Sequence, residues 1–192
     1  MSKPLVVGRH EFAKLYRVGV TTVSNGWVHR GDLSYEDAAI VSGKPFWPGG
    51  LAVAFANPPG SSSRQLDQEA LAELEREQGA TFRPASKGEL PTLVGLQEYA
   101  ELFGVTQQVV ALARRRTLAG EGVMLPPSDY LLSSSPVWLL DTVLGGAEET
   151  MAHSRKGTWK LRDEVADALA GGLYEGPGSS IVKRGNYGSP KD

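Results

Sequence analysis

The chain has 192 residues, 41% of them hydrophobic and 22% charged, with a formal net charge of -2, which sets the bounds of one large or two small globular domains. Without cysteine there is no disulfide framework, thiol nucleophile or thiolate zinc site, as suits a reducing cytoplasm. Met1-Ser2-Lys3-Pro4 does not read as a secretory signal, and no apolar run approaches the roughly 20 residues of a membrane span.

Taken in order, Val6-Val7 make a short apolar strand, and Gly8 stands where a helix begins. Glu11, three residues on, is placed to fold back to the cap amide. Phe12, Leu15 and Tyr16 share one face at i, i+3, i+4, and the helix should stop near Arg17. Gly19 then caps a second helix with Val23 and Trp27 inward, weakened by Gly26. Ala39-Ile40-Val41 and Phe46-Trp47 flank a polar Ser42-Gly43-Lys44-Pro45 tip and predict a hairpin, followed by a short helix from Leu51 to Phe55.

The same series recurs. Val6 to Val18 lies without a gap over Leu93 to Val105, with identities at Val7/Val94, Gly8/Gly95, Glu11/Glu98, Ala13/Ala100, Leu15/Leu102 and Val18/Val105, and then at Val23/Val110. Tyr99, Leu102 and Phe103 form the apolar face, and Gly104 suits a left-handed turn where Arg17 costs more, so the first turn should be the less regular. Thr106 caps the second helix, Gln107 to Arg116, with Val110 and Ala113 inward. Tyr130-Leu131-Leu132 and Val137-Trp138-Leu139 flank the tip Ser133 to Pro136, and Asp141 reads as the cap of a short helix to Leu144.

Strand, helix, turn, helix, hairpin and short helix, twice over, predict a mainly α chain with small β wings (α+β): two tandem winged helix-turn-helix domains at 1–57 and 91–146. Between them, 58–90 reads as a linker with a helix striped by Leu66, Ala70 and Leu74. A C-terminal helical extension at 147–175 carries the stripe Leu161, Val165 and Leu169, and the Gly-rich 176–192 reads as a flexible tail.

In such a unit the second helix enters the major groove. Its outward residues in the second copy are Gln107, Gln108, Ala111 and Arg115, next to the cap Thr106; Gln pairs with adenine and Arg with guanine. Arg114, Arg115 and Arg116 also suit phosphate or the helix C-terminus. In the first copy Thr21, Thr22, Ser24, Asn25 and His29 face outward, with Arg30 beyond. Lys44 and the Ser133 to Ser135 tip, Ser134 at its centre, are the wing candidates for phosphate. A DNA binder usually has a basic surface, so here any basic face must be local: residues 1–57 hold six Lys/Arg and four acids, residues 58–90 four and six. Trp27, Trp47, Trp138, Phe12 and Tyr99 occupy core positions of the repeat rather than stacking platforms, and Trp159 is unassigned.

Catalysis finds no support. His10, His29 and His153 lack zinc-site spacing, and Gly43-Lys44 lacks the glycines of a phosphate loop. Gly172, Gly176 and Gly178 follow a helix rather than a strand, and Ser180 to Lys183 matches S-x-x-K without its partner motifs. No catalytic residue, metal or cofactor is expected.

The run Leu93-Val-Gly-Leu-Gln-Glu-Tyr-Ala-Glu-Leu-Phe-Gly-Val-Thr-Gln-Gln-Val-Val110, with Pro136-Val-Trp138 and Asp141, resembles excisionase and MerR-type winged helix-turn-helix domains of small actinobacterial regulators and mobile elements. The resemblance covers roughly 91–145 well and 5–56 less well; Arg17, Gly19 and Pro48-Gly49-Gly50 depart from it. It implies a cytoplasmic, nucleoid- or plasmid-associated bacterial protein that binds double-stranded DNA, alone or as a homo-oligomer along it. A long dimer helix and an effector domain are missing, so no small-molecule effector is implied. The competing expectation is a protein-interaction or oligomerisation module on the same folds, favoured by the near-neutral charge and the acidic helix Asp67 to Glu77.

Overall fold

A computed structural model describes residues 2–57, 64–154 and 157–181. The Pro/Gly/Ser linker at 58–63 and residues 182–192 of the expected tail lie outside the described residues.

The chain is a mixed α+β protein with two three-stranded antiparallel sheets. In the first unit β1 (Val6–Val7) and β2 (Ala39–Val41) flank β3 (Lys44–Pro48), in the order β1-β3-β2. In the second, β4 (Leu93–Val94) and β5 (Tyr130–Leu132) flank β6 (Ser135–Leu139), in the order β4-β6-β5. Registers match: Val7 pairs with Trp47 as Val94 does with Trp138, and Ile40 with Pro45 as Leu131 does with Pro136.

Helices α1 (Arg9–Leu15) and α5 (Leu96–Leu102) follow the first strand of each unit. The turn after α1 is as regular as the one after α5, against expectation. Arg17 is left-handed (φ 51) just as Gly104 is (φ 62), and the Val18 and Val105 amides donate to Ala13 O and Ala100 O at 3.0 Å in both. A side chain in that region costs about 1–2 kcal/mol. The Arg17 guanidinium meets Asp67 at 2.6 Å and so fastens the turn to the next helix.

The second helices differ. In the second unit α6 (Gln107–Leu118) is regular, with Thr106 Oγ1 accepting from Val109 N and with Val110 and Ala113 buried. In the first, a helical turn opens at Val20, becomes π-helical over Thr22–Trp27 and ends as α2 (Val28–Arg30). The Val28 amide reaches back to Val23 O, and the wider turn keeps both Val23 and Trp27 buried. Trp27 then packs against Phe12, Tyr16 and Phe55. In the second unit Trp159 packs on Tyr99 and Phe103 from outside the repeat, which makes it a core residue.

Short helices α3 (Gly49–Ala54) and α7 (Leu140–Gly145) close each sheet. Leu139 is the cap of α7, and Asp141 lies one residue inside it, so its carboxylate favours the helix N-terminus without capping it. Beyond them, α4 (Gln68–Gln78), capped by Asp67, packs Ala70, Leu71 and Leu74 into the first core. The Gln78 amide pairs with both N and O of Val6 and so extends the sheet sideways. α8 (Ala147–Ala152) and α9 (Asp163–Ala170) cover the second core, with Val165 and Leu169 buried.

Side chains alternate across each sheet. Val7 and Trp47 face the first core and Val94 and Trp138 the second, whereas Val6, Phe46, Leu93 and Val137 point the other way and meet in a third cluster with Val41, Tyr130 and Leu132. The two sheets therefore share a core. Lys44 and Ser135, which occupy the same place in their strands, touch one another.

Candidate nucleic-acid interface

The two hairpin tips lie at this junction. Each is a two-residue turn with both residues left-handed: Ser42 and Gly43 (φ 48 and 72), and Ser133 and Ser134 (φ 47 and 61). Lys44 is thus the first residue of β3 and not part of a tip, and its ammonium is occupied by Ser135 Oγ. Each tip docks on the first helix of the other unit. Ser133 N and Oγ donate to the Glu11 carboxylate at 2.7 and 3.0 Å. Ser42 N and Oγ donate to Glu98 at 2.6 and 2.7 Å. Glu98 also accepts from Gly95 N at 3.0 Å, the fold-back its spacing anticipates, so one buried carboxylate closes a helix end and seats a hairpin together. Glycine is required at the docking points, since a Cβ on Gly8 would lie 2.7 Å from Ser133 Oγ and one on Gly95 2.4 Å from Ser42 Oγ.

Burial pushes the Glu98 carboxyl above its ordinary value of 4.5, an effect partly offset by the Ser42 hydroxyl and by the Ser42 and Gly95 amides. A carboxyl raised on folding holds its proton more tightly in the folded chain, so its contribution to stability is complete below 4.5 and is lost as pH climbs towards the folded value. Urea unfolding across that window should show the wild type losing ground steadily to Glu98→Gln as pH rises. A constant difference between the two would refute this linkage.

The helix residues anticipated for DNA remain open. On α6, Thr106, Gln107, Gln108, Arg115 and Arg116 are exposed, and Ala111 and Arg114 are half-buried. Gln107 Oε1 accepts from Gln97 Nε2 at 3.4 Å, which ties the start of α6 to the docked Ser42 tip through Gln97 N, a donor to Ser42 Oγ. Among the described residues, Arg114, Arg115 and Arg116 make no salt bridge, whereas Lys14, Arg17, Arg30, Arg83 and Arg162 all do.

The first unit offers less. Thr21, Asn25 and His29 are exposed and Thr22 is half-buried. Ser24 Oγ is turned back to Val20 O at 3.2 Å, and Arg30 is held by Asp32 at 3.2 Å. The second tip lies beside Arg9, His10, Val20 and Lys44, with Ser134 exposed.

Sequence reasoning missed the docking of the tips. The signal was there: Val6-Val7, Phe46-Trp47 and Val137-Trp138 are apolar at consecutive positions, the mark of a strand buried on both faces. It also missed that α6 leaves Val109, Leu112 and Leu118 exposed. Among the described residues there is no cluster of His, Asp or Glu able to hold a metal, and no helix is long and apolar enough to cross a membrane. Comparison with protein-family models, curated proteins and solved structures finds no match.

Proposed function

We propose that each unit is a winged helix-turn-helix and that the chain binds double-stranded DNA sequence-specifically, as a transcriptional regulator or excisionase-like architectural factor. The observation that supports this reading is α6, which presents Gln107, Gln108, Arg115 and Arg116 outward with, among the described residues, no carboxylate in a salt bridge with the arginines. Gln offers the paired donor and acceptor that match adenine, Arg the fork that matches guanine, and the adjoining guanidinium reaches phosphate. The first unit contributes mainly Thr21, Asn25 and His29, so the two helices read unlike half-sites.

Coupling between them is rigid. A flexible tether would supply effective concentration alone; here the shared core and the reciprocal Ser–Glu docking fix the second helix relative to the first. The half-sites therefore occur at one spacing. Selection from random duplexes, followed by mobility shift at increasing salt, should yield two dissimilar half-sites at a constant separation. If no sequence is enriched even at low salt, the proposal fails.

One observation favours a protein partner instead: the exposed Val109, Leu112 and Leu118 on α6. Salt separates the two readings, since binding through apolar side chains persists at ionic strengths that dissociate phosphate contacts.

A further inference from the structure

We infer that the recess between the start of α1 and the second hairpin tip seats one backbone phosphate of the duplex, held by Arg9, His10, Lys44 and the Ser134 amide; the inference rests on the DNA-binding reading above. The recess has a volume of about 140 Å³ and is lined by Arg9, His10, Val20, Lys44, Pro45 and Ser133, with no carboxylate among them. Glu11, which follows His10, is engaged by Ser133 N and Oγ. Among the described residues neither Arg9 nor Lys44 forms a salt bridge, so two unneutralised cations line one small cavity.

The donors are held ready. The Arg9 guanidinium lies over the Tyr35 ring, 5.5 Å from its centroid, and donates to the Tyr35 hydroxyl at 2.9 Å. Its Nε is buried with no partner among the described residues. Tyr35 stacks on buried Trp47, so the guanidinium is anchored to the first core and loses little freedom on meeting a ligand. Lys44 gives one donor to Ser135 Oγ and keeps the rest of its ammonium, and exposed His10 adds a ring N–H.

Comparison of the two units assigns the ligand. In the repeat Arg9, His10 and Lys44 stand where the second unit has Leu96, Gln97 and Ser135, so these charges belong to the first unit alone. At the first hairpin tip the chain supplies its own acceptor: Gly43 N donates to Gly178 O at 2.9 Å. Gly178 is seated there so closely that a Cβ on it would lie 2.8 Å from Gln97 Oε1 and 2.9 Å from Ser42 Cα. Ser134 N, the counterpart of Gly43 N, has no acceptor among the described residues, and Ser134 is exposed. Uncharged side chains and a carbonyl oxygen in one unit are thus replaced in the other by two cations and an unpaired amide, the donor set of an anionic oxygen ligand. Val20 lines the recess and immediately precedes Thr21, so the phosphate lies beside the helix through which the first unit would read its half-site. Such a contact fixes register and carries no base preference.

The full chain, labelled for heteronuclear NMR, is titrated with inorganic phosphate and then with the duplex it selects, at fixed pH and ionic strength. Phosphate should move the Ser134 amide and Arg9 Nε signals and leave the Gly43 amide in place; the duplex should move the same two. Arg9→Leu/His10→Gln/Lys44→Ser gives the first unit the side chains that the second already folds with. It should abolish the response to phosphate while keeping the Gly43 signal and the unfolding temperature. Duplex affinity should fall roughly tenfold at moderate salt, and the plot of log K against log salt should flatten by about 0.9, one phosphate, with base preference unchanged. Silence of both signals towards phosphate and duplex, or a wild-type salt slope in the triple variant, would overturn the seat. Signals that answer phosphate but not a bound duplex would overturn the duplex as its source and give the recess to a free phosphate. A chain that answers phosphate and selects no duplex would overturn the DNA-binding reading while the anion site stands.

Discussion

Replacing Gln107 and Arg115 together by alanine should cost at least about thirtyfold in affinity for the selected duplex, since each bidentate base contact contributes about 1–3 kcal/mol. Base preference should relax at the positions those side chains read. Both are exposed on α6, whose core is made by Val110 and Ala113, so the loss should come without a change in unfolding temperature. Asn25→Ala with Arg30→Ala should cost less, because Arg30 must first leave Asp32 and Asn25 sits on the π-helical turn. Anisotropy titrations of the two pairs decide the matter. Equal losses, or a loss confined to the salt slope with base preference intact, would remove α6 from its role as the principal reader.

The second large effect is on stability. Glu98→Ala should cost about 2–5 kcal/mol, because it strands the buried Gly95 amide at about 1–3 kcal/mol and also removes the acceptor of the part-buried Ser42 amide and hydroxyl. Its counterpart Glu11→Ala should cost clearly less. Glu11 is half-buried, so water can take over the donors of Ser133. Urea unfolding of both variants at one pH gives the comparison. Equal destabilisation would mean that the two docking points are energetically equivalent despite their unequal burial.

Much of this architecture was legible in the residues because it depends on local patterns. The gapless alignment of Val6–Val18 with Leu93–Val105 locates two like units, and the helical spacing of Phe12, Leu15 and Tyr16 gives the buried face of α1. Thr106 is a cap by its chemistry and is one in the structure. What escaped depends on contacts between distant segments. The apolar pairs Phe46-Trp47 and Val137-Trp138 beside the tips mark strands buried on both faces but do not say which distant carboxylate receives Ser42 or Ser133, so the polar tips read as free. The π-helical turn escaped because it answers to the bulk of Trp27 among Phe12, Tyr16 and Phe55, which periodicity does not register. Arg17 was expected to disturb its turn; Asp67, outside the repeat, supplies what the position needs. Lys44 was misplaced because a hairpin with a two-residue turn is tighter than a Ser-Gly-Lys-Pro stretch suggests.

The core shared by the two sheets changes how occupancy should respond to dose. Regulators that read DNA as pairs of identical subunits must first find each other, so their binding curves steepen with concentration and collapse when the protein is scarce. On the DNA-binding reading proposed above, the pairing is already made within a single polypeptide by the core the two sheets share. A lone molecule should therefore fill its target along a simple hyperbola, down to a few copies per cell. Because the halves are unlike, it should also sit on the duplex in one direction only, giving the site a left and a right.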